Sequence, residues 1–190
     1  MKAYYKGKIL FVLLVFLVFM LILNEQAQQE STWQLMIESN FDDYTAAFTS
    51  GVRATATDNY EVQSDVLQPP LHPGTAIQMS TNINDRALVR DIREILQKNT
   101  PKAWELTLTA FDSAGEGITG TNTLTWDVSG IPSYINLTFV DYGEDAQRTN
   151  IVKTTNLKQQ SSYTFAVANA AGAYRYLSLV AETSEEQQES

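Results

Sequence analysis

Apolar side chains in this chain return at every second position, and that period admits strands and little else. Trp33, Leu35 and Ile37 alternate with Gln34, Met36 and Glu38. Trp104, Leu106, Leu108 and Ala110 alternate with Glu105, Thr107 and Thr109. Ile135, Leu137 and Phe139 are separated by Asn136 and Thr138, and Tyr163, Phe165 and Val167 by Thr164 and Ala166. Tyr44 to Val52, Thr75 to Ser80, Thr123 to Asp127 and Tyr174 to Val180 add further strand signals, and Gln68 to Gly74 (QPPLHPG) is turn-rich. Short strands at roughly ten-residue spacing indicate an all-β antiparallel sandwich or barrel. Trp33, Trp104, Trp126, Leu137 and Phe165 are the side chains expected to fill its inner layer.

One segment departs from the period of two. Leu88, Ile92, Ile95 and Leu96 recur at helical spacing, with Asn84 as an N-cap and Asn99 and Pro101 as a stop. Local pattern therefore supports a helix over residues 85–98, and an extended stretch through Arg93 is the alternative.

The N-terminus has a different character. Lys2, Lys6 and Lys8 precede fifteen apolar residues, Ile9 to Leu23, and a polar stretch from Asn24 to Gln29 follows. Positive segment, apolar run and polar region together are the layout of an export signal. A run of this length covers about 22 Å at ~1.5 Å per residue, short of a ~30 Å hydrocarbon core, which favours cleavage near Ala27. Glu25 stands where a small residue is preferred, so an uncleaved anchor, extended by Tyr4, Tyr5 and snorkelling lysines, is the alternative. The expected organisation is a signal or anchor over 1–27, one β domain over 28–181 and an acidic tail over 182–190.

Charge and residue usage narrow the function. Beyond Ala27 there are ten basic and twenty-one acidic residues, a balance that repels phosphate backbones and disfavours nucleic acid as a partner. The chain has no cysteine and one histidine, so thiolate metal sites, cysteine nucleophiles, disulfides and multi-histidine centres are excluded. His72 sits between Pro70 and Pro73 in a loop, with no G-x-S-x-G to supply a nucleophile. Gly115, Gly117 and Gly120 spell G-x-G-x-x-G, but the strand signal TNTLTWD follows where a dinucleotide site needs a helix. These glycines read as a loop joining two antiparallel strands.

No catalytic site and no cofactor emerge from the pattern. Calcium is the one cation with candidate ligands: Asp58, Glu61 and Asp65 in one cluster, Asp141, Glu144 and Asp145 in another. Neither follows the D-x-D-x-D-G loop, and solvated loop charge is the simpler reading of both. Tyr60, Tyr142 and Tyr174 lie off the apolar faces and are the candidates for a sugar-binding platform. A pair of carboxylates for glycoside hydrolysis is not selected by any spacing, because their separation is spatial. Asn136-Leu137-Thr138 matches a glycosylation acceptor inside a strand signal.

From Trp104 onward the chain resembles a fibronectin type III or immunoglobulin-like sandwich domain. Leu124-Thr125-Trp126 is similar to the strand that carries the buried core tryptophan, and Leu157 and Tyr163 to the leucine and tyrosine of a tyrosine corner. Tyr163 to Asn169 (YTFAVAN), followed by Gly172, resembles the family's Y-x-F-x-V-x-A-N…G run, although Gln159 stands where a proline is usual. The resemblance implies that the Tyr163 hydroxyl bonds backbone near Leu157. Trp33 to Val180 also resembles uncharacterised β-rich segments near the C-terminus of large bacterial surface proteins, on Ala56-Thr57-Asp58, Pro69-Pro70, Asp91-Ile92-Arg93, Ile131-Pro132 and Ser162-Tyr163-Thr164-Phe165. This second likeness favours the extended form through Arg93. It implies an exported, non-catalytic module with a structural, adhesive or protein-interaction role at the cell surface or in the periplasm. The alternative is a carbohydrate-binding module, with calcium as an aid. Expected partners are protein or glycan, with a membrane touched only through residues 9–23.

Overall fold

The computed structural model describes residues 13–20, 32–70, 76–112, 114–167 and 174–184. Residues 13–20, inside the N-terminal apolar run, are helical and exposed. No helix among the described residues is long and apolar enough to cross a membrane. Everything else of regular structure among the described residues is strand, so the all-β expectation holds.

The strands are β1 (Trp33–Phe41), β2 (Tyr44–Val52), β3 (Val66–Leu67), β4 (Ala76–Ile83), β5 (Arg86–Arg93), β6 (Lys102–Phe111), β7 (Gly120–Trp126), β8 (Ile135–Asp141), β9 (Lys153–Asn156), β10 (Ser162–Val167) and β11 (Tyr174–Thr183). They form one ladder in the order β10-β7-β1-β2-β5-β4-β6-β11-β8-β9, with β3 attached to β5. β2 and β5 run parallel, from Thr49 opposite Arg90 to Val52 opposite Arg93, and the other pairs are antiparallel. The sheet is therefore mixed and its path is unbroken.

The ladder curls until its ends face one another. Trp33 on β1 meets Trp104 on β6 edge-on at 5.8 Å, and Trp126 on β7 stacks against Phe139 on β8 at 6.2 Å. Lys153 on β9 lies 4.8 Å from the centroid of Tyr163 on β10. Side chains rather than backbone hydrogen bonds join these ends, so the sheet is nearly closed. The period of two explains the arrangement: β1, β6, β8 and β10 bury alternate residues along their lengths. Trp33, Trp104, Trp126, Leu137 and Phe165 are all in the core, as expected. Each fully buried side chain of this size contributes roughly 1.5–3 kcal/mol of transfer free energy, which lets a chain without disulfides hold together.

Residues 85–98 do not form the helix that local spacing allows. Asn84 and Asp85 both have positive φ, 49° and 62°, and make a two-residue turn between Ile83 and Arg86. Two successive left-handed residues suit the twist of a hairpin, so Asn84 turns the chain rather than capping a helix. The segment then extends as β5, taking backbone partners from β4, β3 and β2 while Leu88 and Ile92 enter the interior. Pairing with three strands outweighs a helical preference of a few tenths of a kcal/mol per residue.

Two further expectations differ. The strand signal at the C-terminus continues through Glu182 and Thr183, which pair with Asn136 and Ile135 of β8, so the polar tail begins later than residue 182. Residues 185–190 lie outside the described residues. The glycine loop does join β6 to β7, but these two strands are not ladder neighbours. Its first half folds back on β6 through a bridge between Phe111 and Gly117, and Gly120 then enters β7 at a point where a Cβ would sit 2.7 Å from the Phe41 ring. The helix a dinucleotide would need is absent there, as the sequence indicates.

Candidate functional site

The inward face of β8 runs Ile135, Leu137, Phe139 and then Asp141, which puts a carboxylate where the pattern would place another apolar residue. Asp141 is 1% exposed. The Gly143 backbone N–H donates to its Oδ1 at 2.7 Å. Arg175 on β11 donates from Nε to Oδ1 at 2.8 Å and from Nη2 to Oδ2 at 2.5 Å. The Tyr163 hydroxyl on β10 donates to Oδ2. The Arg175 guanidinium also covers the Phe165 ring at 4.6 Å. One buried carboxylate thus ties β8, β10 and β11 together where the ladder's ends meet. Burial, reinforced by the neighbouring Asp141, pushes the Tyr163 hydroxyl up to about 12. Burial works against the charge of Arg175, but the hydrogen bond and charge of Asp141 outweigh it and hold Arg175 above its ordinary value.

This arrangement corrects the expected tyrosine corner. Tyr163 reaches Asp141 rather than backbone near Leu157, because an ionised oxygen is the stronger acceptor. The Leu157 and Gln160 carbonyls are taken by the Trp126 indole N–H, at 3.0 and 2.7 Å. The loop that a tyrosine would fasten is fastened by tryptophan.

Asp58, Glu61 and Asp65 are held by protein donors, each with its own partners. Asp58 accepts from the Lys102 ammonium at 2.6 Å on both oxygens, and Glu94 takes the same ammonium at 3.2 Å. Lys102 is 8% exposed, and this pairing offsets the cost of its burial. Glu61 accepts from the Thr57 and Ser64 hydroxyls. Asp65 accepts from the Glu61 and Ile92 backbone N–H groups at 2.7 and 2.9 Å. Asp91 lies next to this cluster, 1% exposed, with Arg93 Nε and Nη2 on its Oδ2 at 3.0 and 2.9 Å. Burial raises its carboxyl above the ordinary carboxylate range, with Arg93 pulling the other way. The result is a pinned β2–β3 loop.

Asp141, Glu144 and Asp145 are likewise not gathered into a cage. Asp141 is inside, and Glu144 is exposed. Asp145 folds onto its own loop, accepting from the backbone N–H groups of Gln147, Thr149 and Asn150 and from the Thr149 hydroxyl. The Thr149 and Asn150 hydrogen bonds lower it to about 2. Among the described residues no group of three or more acids is placed to hold a metal ion.

The three tyrosines have different partners. Tyr60 is half-buried under the Arg86 guanidinium, 4.5 Å from its centroid. Tyr142 is half-buried, with its backbone bonded to Tyr176. Tyr174 is 41% exposed and stacks on Tyr176 at 6.2 Å. The sequence reading missed Tyr176, although its phase with Tyr174 was legible; Phe111, and Arg148, which lies over Tyr176, carried no signal. His72 lies outside the described residues. A cleft of about 410 Å³ opens between β2, β4 and the Gln68–Pro70 stretch, lined by Tyr44, Ala46, Pro69, Ile77 and Met79 among others. Its described lining holds no carboxylate, amine or imidazole.

No family model, curated protein or solved structure matches this chain.

Proposed function

We propose that the chain is an exported, non-catalytic β module with an immunoglobulin- or fibronectin III-like strand arrangement, acting through structural or adhesive protein contacts at the cell surface or in the periplasm. The observation that carries this reading is the use made of the buried ionic groups. Asp141, Asp65 and Lys102 are each held by partners on other elements and Asp91 by Arg93 of its own strand, so their chemistry holds the sheet together and none lines the cleft. The ladder ends in β9 and β10, whose outer backbone edges have no strand partner among the described residues. Such edges accept an extended segment from another protein, with backbone hydrogen bonds giving affinity and alternate side chains giving selectivity. Export rests on Lys2, Lys6 and Lys8 ahead of Ile9 to Leu23.

Mass spectrometry of the native protein after cell fractionation tests the compartment. A mass beginning near Gln28 outside the cytoplasmic membrane supports a free module, and an intact N-terminus in the membrane fraction supports a tethered one. A chain recovered from the cytoplasm ends the export reading. The absence of native cysteine permits a clean test of the edges. Single cysteines at Ala166 on β10 and Thr154 on β9 should cross-link to a discrete partner in cells, while one at Met36, on the outer face of β1, should not. Turnover of a substrate by the purified chain, lost on Asp91→Asn, would sink the non-catalytic reading.

A further inference from the structure

The outer face of β6 and β11 carries aromatic rings that the core does not use. Arg175, Leu177 and Leu179 take the inward side of β11, which leaves Tyr174 and Tyr176 together on the other. Opposite them on β6 stand Thr109 and Thr107. The two tyrosine rings are 6.2 Å apart and 9° from parallel, and Phe111 meets Tyr174 edge-on at 5.6 Å. Tyr174 is 41% exposed. Arg148 closes the far end of the row, its guanidinium 5.3 Å from the Tyr176 centroid. That cation is matched by Glu105, whose Oε2 lies 3.5 Å from Arg148 Nη1.

The charge balance selects the occupant. Arg148 and Glu105 cancel, so the row offers no unpaired charge to an ionic ligand, and the chain's net charge of −9 repels polyanions. Parallel rings with hydroxyls alongside suit a ligand that has a flat C–H face and a polar rim. A pyranose has both. We propose that Tyr174 and Tyr176, flanked by Thr107 and Thr109 and ended by Arg148 and Glu105, form a binding site for a neutral polysaccharide. A sugar face stacks on the exposed Tyr174 ring, Tyr176 under Arg148 backs that ring, and sugar hydroxyls meet the threonines and the Arg148–Glu105 pair. The site stands on this face alone and is independent of the strand edges and of where the chain resides.

Affinity gel electrophoresis of the full chain in mild detergent tests it, with xylan, a mixed-linkage β-glucan and galactomannan as neutral probes and alginate as the anionic one. At least one neutral polymer should retard the chain, and alginate should not. Tyr174→Ala should weaken that binding about fivefold or more, the order expected for one lost aromatic stack. Tyr174→Phe, which keeps the ring, should bind within about twofold of the native chain on the same scale. Met36→Ala, on the outer face of β1 and away from the row, should bind as the native chain does, and an unchanged thermal midpoint for Tyr174→Ala shows that the fold is intact. The proposal is overturned if no neutral polymer retards the chain, if alginate alone does, or if Tyr174→Ala keeps full affinity.

Discussion

Arg175→Met isolates the buried ion pair between β8 and β11 on which Tyr163 of β10 docks. Methionine keeps an unbranched stem over Phe165 and removes the charge and both hydrogen bonds to Asp141. Asp141 stays 1% exposed and keeps only the Tyr163 hydroxyl and the Gly143 N–H. Breaking a buried ion pair from one side costs about 3–5 kcal/mol, because the charge left behind has lost its counterion without regaining water. With a urea dependence of roughly 2 kcal/mol per molar for a domain of this size, the unfolding midpoint should fall by roughly 1.5–2.5 M. Urea titration followed by tryptophan fluorescence reads this, since Trp126 packs on Phe139 two residues before Asp141. The double variant Asp141→Asn, Arg175→Met removes both charges and leaves an acceptor for Tyr163, so it should recover about 2 kcal/mol of the loss. A single variant that loses less than about 1 kcal/mol, or a double variant no more stable than the single one, refutes the idea that a paired buried charge supports the seam where Tyr163 of β10 meets β8.

Three further expectations follow from other sites. Trp126→Phe keeps the stack on Phe139 but strands the Leu157 and Gln160 carbonyls; it should cost about 1–3 kcal/mol and speed proteolytic cleavage within residues 157–161, read by limited digestion. Gly51→Ala places a Cβ 2.4 Å from the Trp33 carbonyl oxygen, a backbone atom that cannot swing away, so calorimetry should show a loss of about 1–3 kcal/mol. Asp145 has a carboxyl lowered to about 2 from an ordinary 3.8, so the unfolded chain binds the proton first and the stabilisation present above 3.8 is lost as pH falls toward 2. Asp145→Asn should flatten that part of the stability–pH curve; an unchanged acid slope in the variant would show that the loop's hydrogen bonds favour neither protonation state.

The fold class was legible because strand periodicity is a local property. Trp33, Leu35 and Ile37, or Tyr163, Phe165 and Val167, declare their inward face without knowing what they pack against. The segment over 85–98 shows where locality ends. Leu88 and Ile92 satisfy a helical stripe and an inward strand set alike, and the choice fell to the Asn84-Asp85 turn and to pairing with β4, β3 and β2. The candidate sites behaved similarly. Carboxylates that neighbour one another in sequence, such as Asp141, Glu144 and Asp145, went to different environments because strand alternation buries one and leaves the loop to the others. Tyr174 was visible as an outward aromatic, but its companions Phe111 and Arg148 come from other parts of the chain and met it only through the β6–β11 pairing and the loop after β8.

What the amino-acid sequence determined by itself is what short-range periodicity and composition can encode: an all-β chain with a tryptophan-rich interior, no thiol chemistry, an acidic surface and a basic-then-apolar N-terminus. Tertiary structure alone decided the order of strands in the ladder, the parallel β2–β5 pair and the meeting of Asp141, Tyr163 and Arg175. The physical reason is separation along the chain. Asp141 and Arg175 are thirty-four residues apart, and no local preference encodes a partner at that distance. Pairing of β8 with β11 brings them together, and only the curl of the sheet brings Tyr163 of β10 to the same carboxylate.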